Sequence, residues 1–278
     1  MTYRHVLLLL LLSLSGYAEE EKPICVLHSR YAGMFSIFGD VLTLCDAYER
    51  GLFSGIQVTF DGGGLFHHTE YGPNWWHYYC EPICLGNHSE SFIRLDMKLV
   101  ESFLQDVTRQ RAHELITNYI HILPSIQKEV EDFVDTHFNN HFILSVHYRG
   151  SDKRREAPRV SYAVVIDAIQ QFIQERPLET IKIFLATDEE PFCELMQNTF
   201  SAEQLCVNPC TVRTDSKAPL GTHYSGHRYE NGKNALIDCL LLSRGDYLIR
   251  TSSNLSRWAT FFNPDIPVLE LSRSYCEL

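Results

Sequence analysis

An apolar run at residues 142–146 is followed directly by four side chains able to do chemistry: His147, Arg149, Asp152 and Lys153. In open α/β folds, ligands bind beyond the carboxyl ends of the strands. A planar guanidinium with a small glycine beside it, as Arg149 has in Gly150, suits a pair of phosphate oxygens. The pattern therefore favours a sugar-nucleotide site. A surface loop whose charges pair with one another is the alternative.

Size and charge narrow the class of function. The 278 residues, of which 45% are apolar, are enough for one large or two modest domains with a real core. The formal net charge of −11 and the pI near 5.6 would repel nucleic acid and anionic lipid. Phosphate recognition must then come from locally placed Arg and Lys side chains, and we expect no nucleic-acid partner.

The amino terminus has the pattern of a signal peptide. Arg4 and His5 precede an apolar stretch, and small residues end the segment at Ala18. The stretch is about half of the roughly 20 residues that a membrane span needs. We expect cleavage after Ala18, no stable membrane span, and a location in the secretory lumen, the periplasm or outside the cell; an uncleaved tether is the alternative.

Nine cysteines fit an oxidising compartment. Cys80 with Cys84, and Cys206 with Cys210, each flank a short turn that contains a proline and lie within bridging range. We favour a disulfide in each pair. Four zinc ligands are the alternative, because short cysteine spacings also suit tetrahedral metal sites.

The alternation of apolar runs with amphipathic segments predicts an α/β chain. A strand at 24–27, a helix closed by Gly51 and a strand at 56–60 form a β-α-β opening. Residues 95–137 are predicted to be helical with a break at Pro124. The second half predicts strands at 142–146, 182–187, 205–207, 247–250 and 268–271, and helices at 162–175, 191–200, 231–242 and 254–262.

This order of elements predicts two Rossmann-like lobes with a cleft between them. We divide the chain into the signal peptide at 1–18, an N-terminal α/β lobe at 19–138 and a C-terminal lobe at 139–278. No long linker separates the halves, and the first lobe is expected to be the smaller and less complete one.

Four segments of the second half fall at strand ends or helix starts, where a doubly wound fold gathers ligand groups. They are residues 147–153, residues 186–189, the helix that carries Asp238, and residues 250–254. Ser252, Ser253 and Asn254 precede a predicted helix, so their hydroxyls and backbone N–H groups could bind an anion at the positive helix end. Simple N-capping is the alternative.

Asp238 lies within an apolar helix, where an unpaired carboxylate would be costly to bury. It therefore needs a hydrogen-bond donor. A carboxylate at the edge of a cleft can accept two N–H bonds from a guanine base. A pair with a neighbouring backbone N–H or basic side chain is the alternative.

These segments occur in the order of the motifs of a known superfamily. Its first motif, His-x-Arg-[Arg/Gly]-x-Asp-Lys, is matched at 147–153, and its second, an aspartate before Ser-x-x-Asp, by Asp238 with Ser243 and Asp246. Its Ser-Ser-Gln-like turn appears at 252–254 with an asparagine last. The chain thus resembles the GDP-fucose-dependent fucosyltransferases: the α1,6-fucosyltransferases, the nodulation enzymes and the protein O-fucosyltransferases. Less specific similarities lie at residues 33–36, 74–79 and 184–190.

The resemblance implies a GT-B-like fold whose C-terminal lobe binds the nucleotide sugar and whose N-terminal lobe faces the acceptor. It implies an inverting, metal-independent transfer with GDP-fucose as donor, a glycan or protein as acceptor, and no cofactor. The nucleotide-sugar residues it implies are His147, Arg149, Asp152, Asp238, Ser252, Ser253 and Asn254, with Arg149 on the β-phosphate. The expected catalytic residues are Arg149 and Lys153, and Glu156, which lies just past Lys153, is the local candidate for the base.

Two other classes of function stay open. The first is a non-catalytic secretory protein that binds a nucleotide sugar or a glycan, which the asparagine at 254 and the short N-terminal lobe would fit. The second is a disulfide-rich structural secretory protein, in which Trp75 and Trp76 are core residues and the arginine loop is plain surface. Only the last of these predicts no binding of GDP.

Overall fold

The computed structural model of the protein describes residues 22–61, 63–86, 92–95, 97–150, 159–177, 180–214 and 227–271. The predicted signal peptide and three candidate residues, Asp152, Lys153 and Glu156, lie outside these ranges. The chain divides into two compact units, Met1–Leu123 and Pro124–Leu278. This boundary lies earlier in the chain than the one proposed from the sequence between residues 138 and 139. The helix at 124–137 therefore belongs to the second unit.

The first unit holds a mixed four-stranded sheet made of β1 (Ile24–His28), β2 (Gly55–Thr59), β3 (Cys84–Gly86) and β4 (Phe92–Ile93). Their spatial order is β3-β2-β1-β4. β1 pairs in parallel with β2 and β4, whereas β3 runs antiparallel to β2. Helix α1 (Met34–Glu49) connects β1 to β2, which confirms the predicted β-α-β opening.

Helix α1 lies in the interior of the first unit, where even Asp40 and Asp46 are buried. A buried carboxylate is tolerated only when it is paired. Arg30 donates to Asp40 over 2.7 and 3.1 Å. Arg111 donates to Asp46 over 2.7 and 2.9 Å. Arg111 belongs to α3 (Arg109–Tyr119), which follows α2 (Met97–Asp106), so its ion pair with Asp46 ties α3 to α1.

The second unit holds a parallel five-stranded sheet made of β5 (Phe142–Tyr148), β6 (Ile181–Thr187), β7 (Leu205–Val207), β8 (Tyr247–Arg250) and β9 (Val268–Glu270). The described part of this unit also contains helices α4 (Pro124–His137), α5 (Tyr162–Gln174), α6 (Glu190–Thr199), α7 (Arg228–Ser243) and α8 (Asn254–Phe262).

The strand order of this sheet, β7-β6-β5-β8-β9, reverses direction at β5. The chain first moves outward through β6 and β7 and then returns to the other side of β5. β5 is buried along most of its length, which explains why its sequence is a continuous apolar run rather than an alternating one. The point of reversal is where open α/β sheets leave a crevice for a ligand.

The predicted α/β fold class is confirmed, and the predicted strands and helices of the second half lie within a few residues of those observed. The strands β3 and β4 were not predicted, because they are only three and two residues long. The helical stretch predicted from residue 95 is broken at 107–108 as well as before Pro124, since Thr108 caps α3 by accepting from the backbone N–H of Arg111 at 3.2 Å.

The preferred assignment of disulfides to the two cysteine pairs is wrong for the described residues, whose eight cysteines are all free thiols. In each pair one thiol is buried and the other exposed: Cys80 and Cys206 are buried, and Cys84 and Cys210 are exposed. The thiol of Cys206 donates to the carbonyl of Ile183 at 3.4 Å, and burial raises its pKa to about 11. The turns between the cysteines therefore direct their sulfurs to different surroundings.

Candidate functional site

The carboxyl ends of β5 and β6 border a cavity in the second unit. In the sheet register His147 stands between Ala186 of β6 and Arg250 of β8. The enclosed part of this cavity measures about 60 Å³, and the space with its open mouth included measures about 460 Å³. The remaining walls come from the loop after β7, from α7 and from Leu255 of α8. Three residues predicted from the sequence line it together: His147, Arg149 and Asp238.

Both the backbone and the guanidinium of Arg149 are fixed at this cavity. Its backbone N–H donates to the hydroxyl of Thr251 at 2.8 Å, and Thr251 in turn donates its own N–H to the carbonyl of His147 at 3.0 Å. Its guanidinium lies 3.0 Å from the carboxylate of Asp188. Asp188 follows β6 and is buried, so the ion pair fixes the arginine across the ends of two neighbouring strands.

His147 is a buried, neutral imidazole. Burial, with the nearby charges of Arg149 and Arg250, lowers its pKa to about 3. A hydrogen bond with the backbone of Thr251 works against this change but is the smallest influence. The Nδ1 atom is buried and has no hydrogen-bond partner among the described residues. Buried polar atoms are rarely left in this state unless a ligand or water completes them.

Asp238 has the donors that the sequence analysis required, and they are neutral side chains. The amide of Asn208 donates to one carboxylate oxygen at 3.0 Å, and the hydroxyl of Thr211 lies 2.9 and 2.8 Å from the two oxygens. Burial nevertheless raises the pKa of Asp238 to about 6, and the two donors and Arg213 only moderate the rise. A carboxylate has about four acceptor positions, so capacity remains for a ligand.

The segment at 252–254 does not line the cavity, whereas Leu255 does. Ser253 is the N-cap residue of α8, yet its hydroxyl makes no capping bond. Asn254 begins the helix and is exposed. Ser256 donates to the carbonyls of Thr251 and Ser253 at 3.2 and 3.3 Å and so holds the turn. Ser256 thus fixes the turn between Thr251 and α8, and the hydroxyl of the N-cap residue Ser253 takes no part in capping.

Gly150 and Arg159 flank the undescribed residues 151–158, and both contact Glu189. Glu189 is buried, and it accepts hydrogen bonds from Arg159 at 3.0 Å and from the hydroxyl of Tyr162 at 2.5 Å. A side chain on Gly150 would collide with its Oε1 atom and with the ring of Tyr148. The glycine next to Arg149 is therefore required by close packing against Glu189.

Several residues of the site were not proposed as ligand groups from the sequence. Asp188 belongs to the segment 186–189, which was predicted to lie at a strand end, but no role was predicted for its side chain. Asn208 and Thr211 follow β7, and the only signal for them was that Asp238 needed a donor. Asn231 and Asn234, which line the cavity from α7, gave no signal, because polar residues in the first turns of a helix are common.

Within the described part of the chain, no group of three or more His, Cys, Asp or Glu side chains is arranged to hold a metal ion. Over the same residues, no helix combines the length and the apolar character needed to cross a membrane.

Solved structures of fucosyltransferases share this fold. The NodZ fucosyltransferase from Bradyrhizobium aligns over 90% of this chain and 95% of its own, with a TM-score of 0.60 and 16% identity. A NodZ α-1,6-fucosyltransferase structure soaked with GDP-fucose gives a TM-score of 0.59 at 16% identity over the same shares. A mutant of Arabidopsis thaliana FUT1 in complex with GDP aligns over 93% of this chain and 73% of its own, with a TM-score of 0.51 and 13% identity.

Comparison with curated protein sequences gives no significant match. The sequence profile of the family described as Nodulation protein Z (NodZ), however, matches residues 97–275. This segment is well over half of the chain and contains every candidate residue of the cavity. The chain therefore belongs to the NodZ family, which confirms its resemblance to the GDP-fucose-dependent fucosyltransferases.

Proposed function

We propose that the protein is a glycosyltransferase that moves fucose from GDP-fucose to a hydroxyl group of a glycan or a protein. The observation that carries the proposal is the placement of Arg149, which Asp188 and Thr251 hold at a cavity at the switch point of the parallel sheet. Membership of the NodZ family and the fold shared with a NodZ structure soaked with GDP-fucose support this choice of donor.

Arg149 binds the β-phosphate in this proposal. When the bond between fucose and GDP breaks, negative charge grows on that phosphate, and a guanidinium already fixed in place stabilises it without reorganisation. Helix α8 reaches the cavity through Leu255, so in this proposal its first backbone N–H groups, with Ser252, Ser253 and Asn254, bind the part of the diphosphate that extends beyond the cavity. GDP-fucose is the donor substrate, and no cofactor takes part.

His147 and Asp238 bind the nucleoside. Asp238 accepts N–H bonds from the guanine base, because its carboxylate lines the cavity and keeps acceptor capacity beyond Asn208 and Thr211. His147 supplies a neutral imidazole, since burial and then the charges of Arg149 and Arg250 lower its pKa. A neutral ring can hydrogen-bond to a ribose hydroxyl or to the base without adding charge to the site.

The transfer inverts the configuration at the sugar carbon. The acceptor oxygen attacks that carbon as the bond to the β-phosphate breaks, GDP takes the bonding electrons, and the hydroxyl proton passes to a base. We assign the base to Glu156, with Lys153 helping Arg149 to neutralise GDP and Asp152 binding the nucleotide sugar or holding Lys153. These three residues lie outside the described part of the chain.

A non-catalytic nucleotide-sugar or glycan-binding protein is the second candidate. The observation that favours it is Asn254, which stands where the superfamily motif has a glutamine-like residue. Glu156→Gln separates the two candidates. A transferase loses turnover of GDP-fucose and keeps its affinity for GDP, whereas a binding protein shows no turnover in either form.

Isothermal titration of the mature chain with GDP and GDP-fucose tests the donor site. We expect micromolar binding, roughly −8 kcal/mol, that weakens by about 100-fold or more in Arg149→Ala, because a charge-assisted pair of hydrogen bonds is lost. Arg244→Ala is the matched control. This exposed arginine lies at the carboxyl end of α7, where it pairs with Glu131, and it does not line the cavity. A folded protein that gives no heat with either ligand would refute the proposal.

We also propose that residues 1–18 act as a signal peptide cleaved after Ala18, so that the mature protein works in the secretory lumen, the periplasm or outside the cell. Sequencing the amino terminus of the protein isolated from its native host should read from Glu19. A chain that still begins at Met1 would contradict this assignment.

A further inference from the structure

The first unit contains a cavity of its own, of about 330 Å³, beside the carboxyl end of β2. The proposed donor site does not use it. Its lining includes the polar side chains of Asp61, Tyr71, Asn74 and His77, and strand β2 adds Gln57 and Thr59. Apolar surface comes from Val58, Pro73, Pro82 and Ile83. Such a volume lies at the small end of the range for ligand pockets, ~300–1,000 Å³.

Asn74 gives this cavity a rigid wall. Its side-chain oxygen accepts from the backbone N–H groups of Phe60 and Trp76, both at 3.1 Å, and its amide donates to the carbonyl of Val58 at 3.1 Å. The same amide lies 3.3 Å from Nε2 of His77. Behind it Trp76 is fully buried. A wall fixed in this way loses little conformational entropy when a ligand binds.

The hydrogen-bonding groups of the cavity suit neutral hydroxyls. The Asn74 amide has two hydrogens, and with one on Val58 the other faces Nε2 of His77, which leaves the ring hydrogen on Nδ1 as a donor. Burial lowers the pKa of His77, and the carboxylate of Asp61 only partly opposes this, so the ring is neutral at pH 7. The cavity therefore offers an anionic acceptor and a neutral donor, and the carboxylate disfavours phosphate or other anions.

Tyr71 adds an aromatic surface. It is 50% exposed although it lines the cavity, and its ring is steadied by Tyr78 and His68, whose ring centres lie 5.8 and 5.5 Å away. Tyr78 is itself fixed, since its hydroxyl donates to the carbonyl of His68 at 2.7 Å. A flat apolar ring beside acceptor and donor groups matches a sugar ring, which has C–H groups on its face and hydroxyls on its rim.

We propose that this cavity binds one uncharged pyranose ring of the acceptor, with Tyr71 against the C–H face of the sugar and with Asp61 and His77 at its hydroxyls. That the ring belongs to the acceptor rests on the proposed function, whereas binding of the sugar does not. The protein would then recognise a carbohydrate acceptor through its first unit and its donor through the second.

Saturation-transfer NMR and titration of the full mature chain with the methyl glycosides of glucose, galactose, mannose and N-acetylglucosamine test the proposal. We expect at least one to bind in the millimolar range. Tyr71→Ala should weaken that binding at least tenfold and Asp61→Asn several-fold, while Tyr71→Phe, which keeps the ring, should bind nearly as wild type. Tyr31→Ala is the matched control, because Tyr31 is 81% exposed and does not line the cavity.

Thermal melting of each variant checks that it folds. The proposal is overturned if none of the four glycosides binds the folded wild-type chain, or if Tyr71→Ala binds as tightly as Tyr31→Ala. Titration of the same variants with GDP separates the two proposals. Sugar binding without GDP binding would refute the proposed transferase but not the sugar site. GDP binding without sugar binding would refute the sugar site but not the transferase.

Discussion

Replacing Asp238 with asparagine should stabilise the protein at pH 8 and weaken its binding of GDP. Burial raises the pKa of this carboxyl to about 6, so its ionised form is present at pH 8 at a cost to folding. Asparagine keeps the shape of the side chain and carries no charge. Its oxygen can accept from Asn208, and its amide can donate to the hydroxyl of Thr211, so that no buried group loses its partner.

The size of the effect follows from the pKa. A rise from the ordinary 3.8 to about 6 corresponds to about 3 kcal/mol. Because the folded state holds the proton more tightly than the unfolded state, this stability is complete below about pH 4 and is lost as the pH rises through 6. Relative to wild type, Asp238→Asn should therefore gain about 2–3 kcal/mol between pH 4 and pH 8.

His147 changes stability in the opposite direction over nearly the same range. Its pKa falls from 6.5 to about 3 on folding, mainly through burial, so the unfolded chain takes up a proton first and stability falls as the pH drops below 6.5. The two effects partly cancel in the wild-type protein. Asp238→Asn keeps His147, so the difference between variant and wild type isolates the carboxyl group.

Urea unfolding at pH 4.5, 6 and 8 measures that difference, and titration with GDP at pH 7.5 measures the contact with the base. We expect GDP binding to weaken about 10- to 100-fold, which is the value of hydrogen bonds to a charged acceptor. A stability difference that does not vary with pH would refute the argument about burial. A stabilised variant with unchanged GDP affinity would show that Asp238 is a structural carboxylate and not a nucleotide contact.

Relative to wild type, His147→Gln should gain about 2 kcal/mol of stability as the pH falls from 6.5 to 4.5, because glutamine takes up no proton in either state. Urea unfolding over that range measures this difference, and a constant difference would contradict the prediction. Gly150→Ala should destabilise the fold by about 1–3 kcal/mol, since its Cβ would collide with Glu189, whereas Gly33→Ala, which meets nothing within 4 Å, should not. Thr251→Val should cost about 1–3 kcal/mol and lower GDP affinity, because the buried N–H of Arg149 loses its acceptor, and Thr251→Ser should restore both quantities.

The pattern of apolar residues was sufficient to predict most of the second unit. Its central strands β5 and β6 are buried along most of their length, so each appears as a largely apolar run that polar residues end, and the helices between the strands show one apolar face. The short strands β3 and β4 lack such a run, and they form because β2 and β1 offer them open edges. Pairing of that kind depends on tertiary neighbours and leaves no periodicity in the sequence.

The site was predictable only in part for a similar reason. The position of Arg149 at a strand end follows from local sequence, and so does the need of Asp238 for a donor. That the donors are Asn208 and Thr211 depends on how the loop after β7 meets α7, and that Thr251 accepts from Arg149 depends on the pairing of β5 with β8. Contacts between residues more than 25 positions apart come from topology, which the spacing of residues does not record.

The charges around the cavity explain how a strongly acidic protein can bind a diphosphate. Arg149 is paired with Asp188 and Arg159 with Glu189, so neither arginine is an uncompensated positive charge that would attract any anion in solution. His147 adds no charge, because Arg149 itself helps to keep it neutral. A phosphate must then share Arg149 with Asp188, which is possible because the backbone of the arginine is held independently by Thr251 and its guanidinium carries five donors. In the proposed binding mode, the contact of the base with Asp238 adds the selectivity for a nucleotide, since the phosphate contact alone is partly offset by the carboxylate already in place.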